Sequence, residues 1–192
     1  MSKPRILAFA GSARNDSWNH RLVQIAAEGA RTGDAEVTVL NLRDYPLPLF
    51  DQDLEQEQGP PENATKLKQL FLDHDGLLIS SPEYNSSITP LLKNTIDWVS
   101  RPVEDEAPLA AYTGRVAALM AASPGGLGGL RGLVHLRAIL SSIGVIVLPD
   151  QIAVPRAFEV FDDDGQLKDD KQQARVQGLG QSVAKMLHQL AH

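Results

Sequence analysis

Residues 11 to 20 read Gly-Ser-Ala-Arg-Asn-Asp-Ser-Trp-Asn-His and follow directly on the apolar run Ile6 to Ala10. Ser12, Ser17 and Asn19 carry hydrogen-bond donors, and Arg14 is a permanent cation whose planar fork matches phosphate oxygens. A helix that begins among them adds free backbone N–H groups and the positive end of its dipole, which together make a phosphate cradle. The same residues also suit an ordinary helix start, with Ser17 as its cap and Arg14 in solvent. The loop by itself leaves both readings open.

A second polar loop, SPEYNSSITP, spans residues 81 to 90. Pro82 fixes its own φ and biases Ser81 toward extended geometry, while Asn85 and the serines after it favour turns and leave amides free. Such a loop can aim main-chain donors at a flat heterocycle; Tyr84 can wall it or simply stand exposed. The third loop, ASPGGLGGLRG over residues 122 to 132, has glycine at 125, 126, 128, 129 and 132. Without Cβ atoms these positions admit a ring or a phosphate close to the backbone, or equally serve packing at a helix start.

Other phosphate and metal motifs fail. No G-x-x-x-x-G-K-[ST] occurs, the first turn lacks G-x-G-x-x-G, Arg131 breaks that spacing in the third loop, and Asn41 rather than an acid ends the second apolar run. Walker-type and primary dinucleotide sites are therefore disfavoured. Asp51, Asp53, Glu55 and Glu62 have part of a calcium-loop spacing, but Gln56 replaces the needed glycine and Pro60-Pro61 interrupts the following helix. The histidines at 20, 74, 135, 188 and 192 show no ligand spacing, so no metal site is expected. His20 reads as helix surface, Asp162 to Asp164 as a solvated turn, and Trp98 and Tyr112 as core or subunit interface.

The elements that must position these loops are legible in the hydropathy. Strand-length apolar runs at Ile6 to Ala10, Val37 to Leu40, Gly76 to Ile79, Val116 to Ala122 and Val145 to Leu148 lack polar alternation, as parallel strands covered on both faces do. Helical stripes lie between them: Trp18, Leu22, Ile25 and Gly29; Leu92, Ile96 and Val99; Leu133, Leu136, Leu140 and Ile143; Val176, Leu179, Val183, Leu187 and Leu190. Thr89 and Pro90 read as N-cap and first helical position, Gly144 as a helix-ending glycine, and residues 64 to 73 as a weaker helix. The alternation predicts an α/β sandwich on a five-stranded parallel sheet of order 2-1-3-4-5, whose switch point lies between the carboxyl ends of strands 1 and 3. Residues 43 to 63, with four prolines, read as a long irregular loop, and residues 161 to 167 as a small hairpin.

Composition narrows the function. A chain of 192 residues fits one domain over its whole length. The 18 basic residues against 24 acidic ones, net charge -6, argue against nucleic acid as partner. Cysteine is absent, so thiolate catalysis, disulfides and iron–sulfur ligation are excluded, and redox chemistry requires a borrowed cofactor. No run of eighteen apolar residues or signal-peptide core appears, so a cytoplasmic protein with no membrane partner is expected.

Three motifs resemble the NADPH-dependent FMN reductase family of the flavodoxin-like fold, which includes chromate, quinone and azo-dye reductases. They are Gly11-Ser12-x-Arg14-x-x-Ser17-x-Asn19; Pro82-Glu83-Tyr84-Asn85 continuing through Pro90, Leu92-Lys93-Asn94 and Ile96-Asp97-Trp98; and Ser123-Pro124-Gly125-Gly126. Ala13, Asp16 and Trp18 depart from the usual pattern. The resemblance implies a flavodoxin-like three-layer sandwich with FMN as cofactor and NADPH or NADH as co-substrate. Ser12, Arg14, Ser17 and Asn19 would hold the phosphate, Pro82, Glu83, Tyr84 and Asn85 would run along the isoalloxazine, and Ser123, Gly125 and Gly126 would border its other side. Hydride would pass through flavin N5 to a small acceptor (a quinone, an azo compound, a free flavin or a metal oxyanion such as chromate), with no side-chain acid or base required. The resemblance further implies a homodimer or homotetramer, with loops 43 to 63 and 101 to 113 supplying the partner wall. Two alternatives share the fold: an electron-carrying flavodoxin, whose phosphate loop usually lacks an arginine such as Arg14, and a response-regulator module, which needs acidic residues where Gly11-Ser12 and Ser80-Ser81 stand.

Overall fold

The computed structural model describes residues 3 to 103 and 105 to 191; His192 and Glu104, the latter within the proposed partner loop, lie outside them. Five parallel strands, β1 (Arg5–Ala10), β2 (Glu36–Leu40), β3 (Gly76–Ser80), β4 (Val116–Ala122) and β5 (Ile146–Val154), form one sheet in the order β2-β1-β3-β4-β5. This is the expected topology. β3 and β4 are buried along their whole length, as their unbroken apolar sequences require, whereas the edge strands β2 and β5 are partly exposed.

Alternate residues feed two cores. Ile6, Ala8, Leu78, Val116 and Met120 pack beneath helices α1 (Trp18–Thr32) and α7 (Asp170–Leu190). Leu7, Phe9, Leu77, Ile79 and Leu119 pack beneath α3 (Glu62–Leu72), α4 (Pro90–Val99) and α5 (Leu130–Ser142). The strand period of two thus divides one sheet between two helical layers. α1 and α7 touch through backbone: a Cβ on Gly29 would fall 2.0 Å from the Gln177 carbonyl oxygen, and one on Gly180 1.9 Å from that of Ala26. The glycine in the first helical stripe is there because the terminal helix lies against it.

Helix ends follow their side chains. Thr89 caps α4 by accepting from Leu92 N at 3.1 Å, with Pro90 at the first helical position, and Gly144 adopts φ +86° after α5. Three expectations are corrected. β5 runs to Val154 through Pro149, because an edge strand tolerates proline and its pairing with β4 shifts register between Ala117 and Leu119. Residues 43 to 63 are not wholly irregular: Asp51 accepts from Asp53 N and caps a short helix, α2 (Gln52–Gln58). The hairpin at 161 to 167 reduces to one bridge, Phe161 with Leu167, preceded by a single-turn helix, α6 (Ala157–Val160). Among the described residues no helix is long and apolar enough to cross a membrane.

Candidate flavin site at the carboxyl edge of the sheet

β1, β3 and β4 end side by side, so the three loops that follow them meet at one edge. In the first loop, Gly11 N donates to Ser80 O at 2.9 Å, and Gly11 O accepts from Thr89 Oγ1 at 2.7 Å, tying the strand exit to β3 and to the cap of α4. Ser17 caps α1, accepting from His20 N at 3.4 Å, and Ser12 Oγ accepts from Arg14 N at 3.3 Å. Both serines are buried while residues 13 to 16 are exposed between them. The Arg14 guanidinium lies 5.7 Å from the Trp18 ring, and no ion pair engages it among the described residues. His20 departs from the expected free helix surface: it is half-buried and its Nε2 donates to Ser12 O at 3.0 Å, since a carbonyl can only accept. Arg43 in the turn after β2 donates to Asn15 Oδ1, a contact with no signal in either local sequence.

Asn19 is only 3% exposed, and its amide is committed within the protein. Its Nδ2 donates to Ala122 O at 2.8 Å, and its Oδ1 accepts from Ala122 N at 2.9 Å and Ser80 Oγ at 2.8 Å. The side chain therefore stitches the first turn of α1 to the ends of β3 and β4.

In the second loop Ser81 N continues the sheet by donating to Met120 O at 2.9 Å. Tyr84 and Ser87 exchange backbone hydrogen bonds of 2.9 and 3.0 Å around Asn85 and Ser86, whose φ values are +51° and +67°. Two successive positive φ angles define a primed turn, which asparagine tolerates better than most residues. Tyr84, at 49% exposure, projects from this turn, and Asn85 is exposed beside it. Ile88 anchors the far end in the core.

Glu83 turns the other way. Its side chain is 8% exposed; Oε1 accepts from Arg131 Nε at 2.8 Å, and Oε2 from the backbone N–H of Arg131 at 3.0 Å and Gly132 at 3.2 Å. Burial pushes this carboxyl up, but the Arg131 hydrogen bond, the Gly132 N–H and the Arg131 charge outweigh it, and its pKa ends below the usual carboxylate value. The carboxylate thus caps α5, a role that adjacency in sequence could not reveal across 48 positions.

In the third loop Ser123 N donates to Val154 O and Ser123 O accepts from Ala157 N, so the extension of β5 holds the loop from outside. Gly128 and Gly129 have φ of +63° and +93°, and a Cβ on Gly129 would sit 2.6 Å from the Ala121 Cβ. These two glycines serve the protein's own packing. Gly126 differs: a Cβ there would meet nothing within 4 Å, and Gly125 is nearly as open. Open glycine backbone faces the same edge as an exposed cation and two cradle serines. The donor set and the bare backbone fit a flat ring carrying a phosphate.

The five-stranded parallel sheet of order β2-β1-β3-β4-β5, with helices on both faces, defines a protein of the flavodoxin-like class. The NADPH-dependent FMN reductase model matches residues 4–159, and the chain belongs to that family. It is 33% identical to an NAD(P)H-dependent FMN reductase of Pseudomonas aeruginosa over 175 residues, 90% of this chain and 89% of that relative. It is 35% identical to a quinone reductase of Escherichia coli over 147 residues, 76% of this chain and 74% of that one. Among solved structures, the flavoenzyme NAD(P)H:(acceptor) oxidoreductase FerB from Paracoccus denitrificans superposes with a TM-score of 0.81 at 28% identity, covering 97% of this chain and 98% of FerB.

Proposed function

We propose that the chain is an FMN-dependent NAD(P)H oxidoreductase whose flavin lies across the three loops at the carboxyl edge of the sheet. The carrying observation is the pairing of the exposed Arg14 above the α1 start with the open backbone at Gly125 and Gly126. Bound FMN supplies the hydride-accepting and hydride-donating centre, which no side chain of this cysteine-free protein could replace. Arg14, Ser12, Ser17 and the α1 N–H groups are assigned to the phosphate. Pro82, Tyr84 and Asn85 present main chain and an aromatic edge to the ring, and Ser123, Gly125 and Gly126 border its other side. Asn19 and Glu83, expected as direct ligands, are assigned instead to holding these loops, because their polar atoms are engaged by Ala122 and Ser80 and by α5 respectively.

A small molecule takes the electrons in a second half-reaction at the exposed face. A quinone is our choice of acceptor, on the family relationship and on the open, nearly uncharged surface at residues 84, 85, 125 and 126, which suits a flat carbonyl compound. The described residues read as one folding unit, active in the cytoplasm as a homodimer or homotetramer. An anaerobic titration of the FMN-loaded protein with NADPH and NADH, followed by a quinone, tests the reading. Bleaching of the flavin band by either nucleotide and its return with quinone is expected; a protein that fails to bind added FMN overturns it.

A further inference from the structure

Arg131 occupies the position that denies the third loop a dinucleotide fingerprint, and the fold gives it a partner in the second loop. Its side chain pairs with Glu83, while its own N–H and that of Gly132 cap onto the same carboxylate. The approach is close: a Cβ on Gly132 would stand 3.2 Å from Ser87 O and 3.4 Å from the Glu83 Cβ. His135, one turn further along α5, adds a 3.0 Å hydrogen bond between its Nδ1 and Ser87 Oγ. The Tyr84–Ser87 turn and the glycine loop are otherwise exposed at their tips, and such segments open at low free-energy cost.

We propose that Glu83 and Arg131 are positioning residues whose contact holds the Tyr84–Ser87 turn and the Gly125–Gly126 backbone at the spacing needed for hydride transfer. The proposal rests on the flavin reading of the site. Both Glu83 oxygens are turned to α5, so the pair acts through the loops. Phosphate anchoring at Arg14 lies on a different loop, which separates cofactor affinity from reactivity. Small displacements of a reacting centre cost rate far more than they cost binding.

The test compares wild type with Glu83→Gln, Arg131→Gln and the double variant, keeping Glu83→Asp as the mild variant should either glutamine substitution prevent folding. Amide hydrogen exchange on the cofactor-free proteins should speed up by about tenfold at residues 84 to 87 and 130 to 133, with distant amides unchanged. FMN affinity by fluorescence titration should stay within about threefold. The rate of flavin reduction by NADPH should fall by about tenfold or more, and the double variant should be no worse than the poorer single one. Unchanged exchange at 84 to 87, or faster exchange with an unaltered reduction rate, overturns the positioning role alone. Wild-type protein that binds no FMN overturns the flavin reading and the role in hydride transfer with it.

Discussion

Asn19 and Ala122 are 103 residues apart and exchange two hydrogen bonds, Nδ2 to O at 2.8 Å and N to Oδ1 at 2.9 Å. The amide side chain pairs with a strand end as another strand would, and Ser80 Oγ completes it at 2.8 Å. One buried side chain thereby fixes the start of α1 against the ends of β3 and β4.

Asn19→Ala leaves the Ala122 N–H, the Ala122 carbonyl and the Ser80 hydroxyl without their partner in a buried place. A loss of about 3 to 5 kcal/mol is expected, since each unsatisfied group costs about 1 to 3 kcal/mol. Asn19→Asp should be comparably harmful, because it sets a carboxylate against the Ala122 carbonyl. Urea denaturation of the cofactor-free protein measures both; a loss below about 1 kcal/mol would show that water replaces the clamp.

Arg14→Ala should weaken FMN binding by about 1.5 to 3 kcal/mol, the range for a hydrogen bond to a charged group, with little change in stability because Arg14 is exposed. Asp16→Asn should act in the opposite direction by about 0.5 kcal/mol at low salt, an exposed carboxylate near a phosphate being weakly repulsive. Fluorescence titrations at two salt concentrations check the pair. Equal affinity in wild type and Arg14→Ala would return the first loop to a plain helix start.

Gly126→Ala and Gly129→Ala separate the cofactor's need for glycine from the fold's. At position 129 the φ of +93° and the 2.6 Å approach to Ala121 predict a stability loss of about 2 kcal/mol or more. At position 126 a Cβ meets no protein atom within 4 Å, so stability should change by less than about 0.5 kcal/mol while FMN affinity drops. Thermal melts with and without FMN tell them apart; normal flavin binding by Gly126→Ala removes that residue from the site.

Because the Glu83 carboxyl is held below its usual pKa, its contribution to stability is present at and above the ordinary carboxylate range and is lost as pH falls through the lowered folded value. The stability difference between wild type and Glu83→Gln should therefore be constant near neutrality and shrink in acid. Urea midpoints of the two proteins from neutral pH into the acid range measure it, and a difference independent of pH would assign the loss to geometry rather than charge.

The sheet order, both layers of helix and the three loop positions were legible in the sequence, since each follows from local period and from the rule that ligands gather where strand order reverses. Thr89, Pro90 and Gly144 were legible for the same reason: a cap is chemistry over three or four neighbouring residues. β5 beyond Pro149 was not, because only the strand's place at the sheet edge makes its proline harmless.

The family resemblance marked Ser12, Arg14, Asn19, Glu83 and Gly126 as a group, and the sequence could not divide it. Asparagine and glutamate look the same in a sequence whether they face a ligand or another loop, and so do glycines that stay open or are packed shut. The division is a matter of distances across 48 to 103 positions: Glu83 to Arg131, Asn19 to Ala122. Spacing along the chain determined what chemistry the edge of this sheet could host; the packing of α5 and β4 against it decided which side chains remain free to perform it.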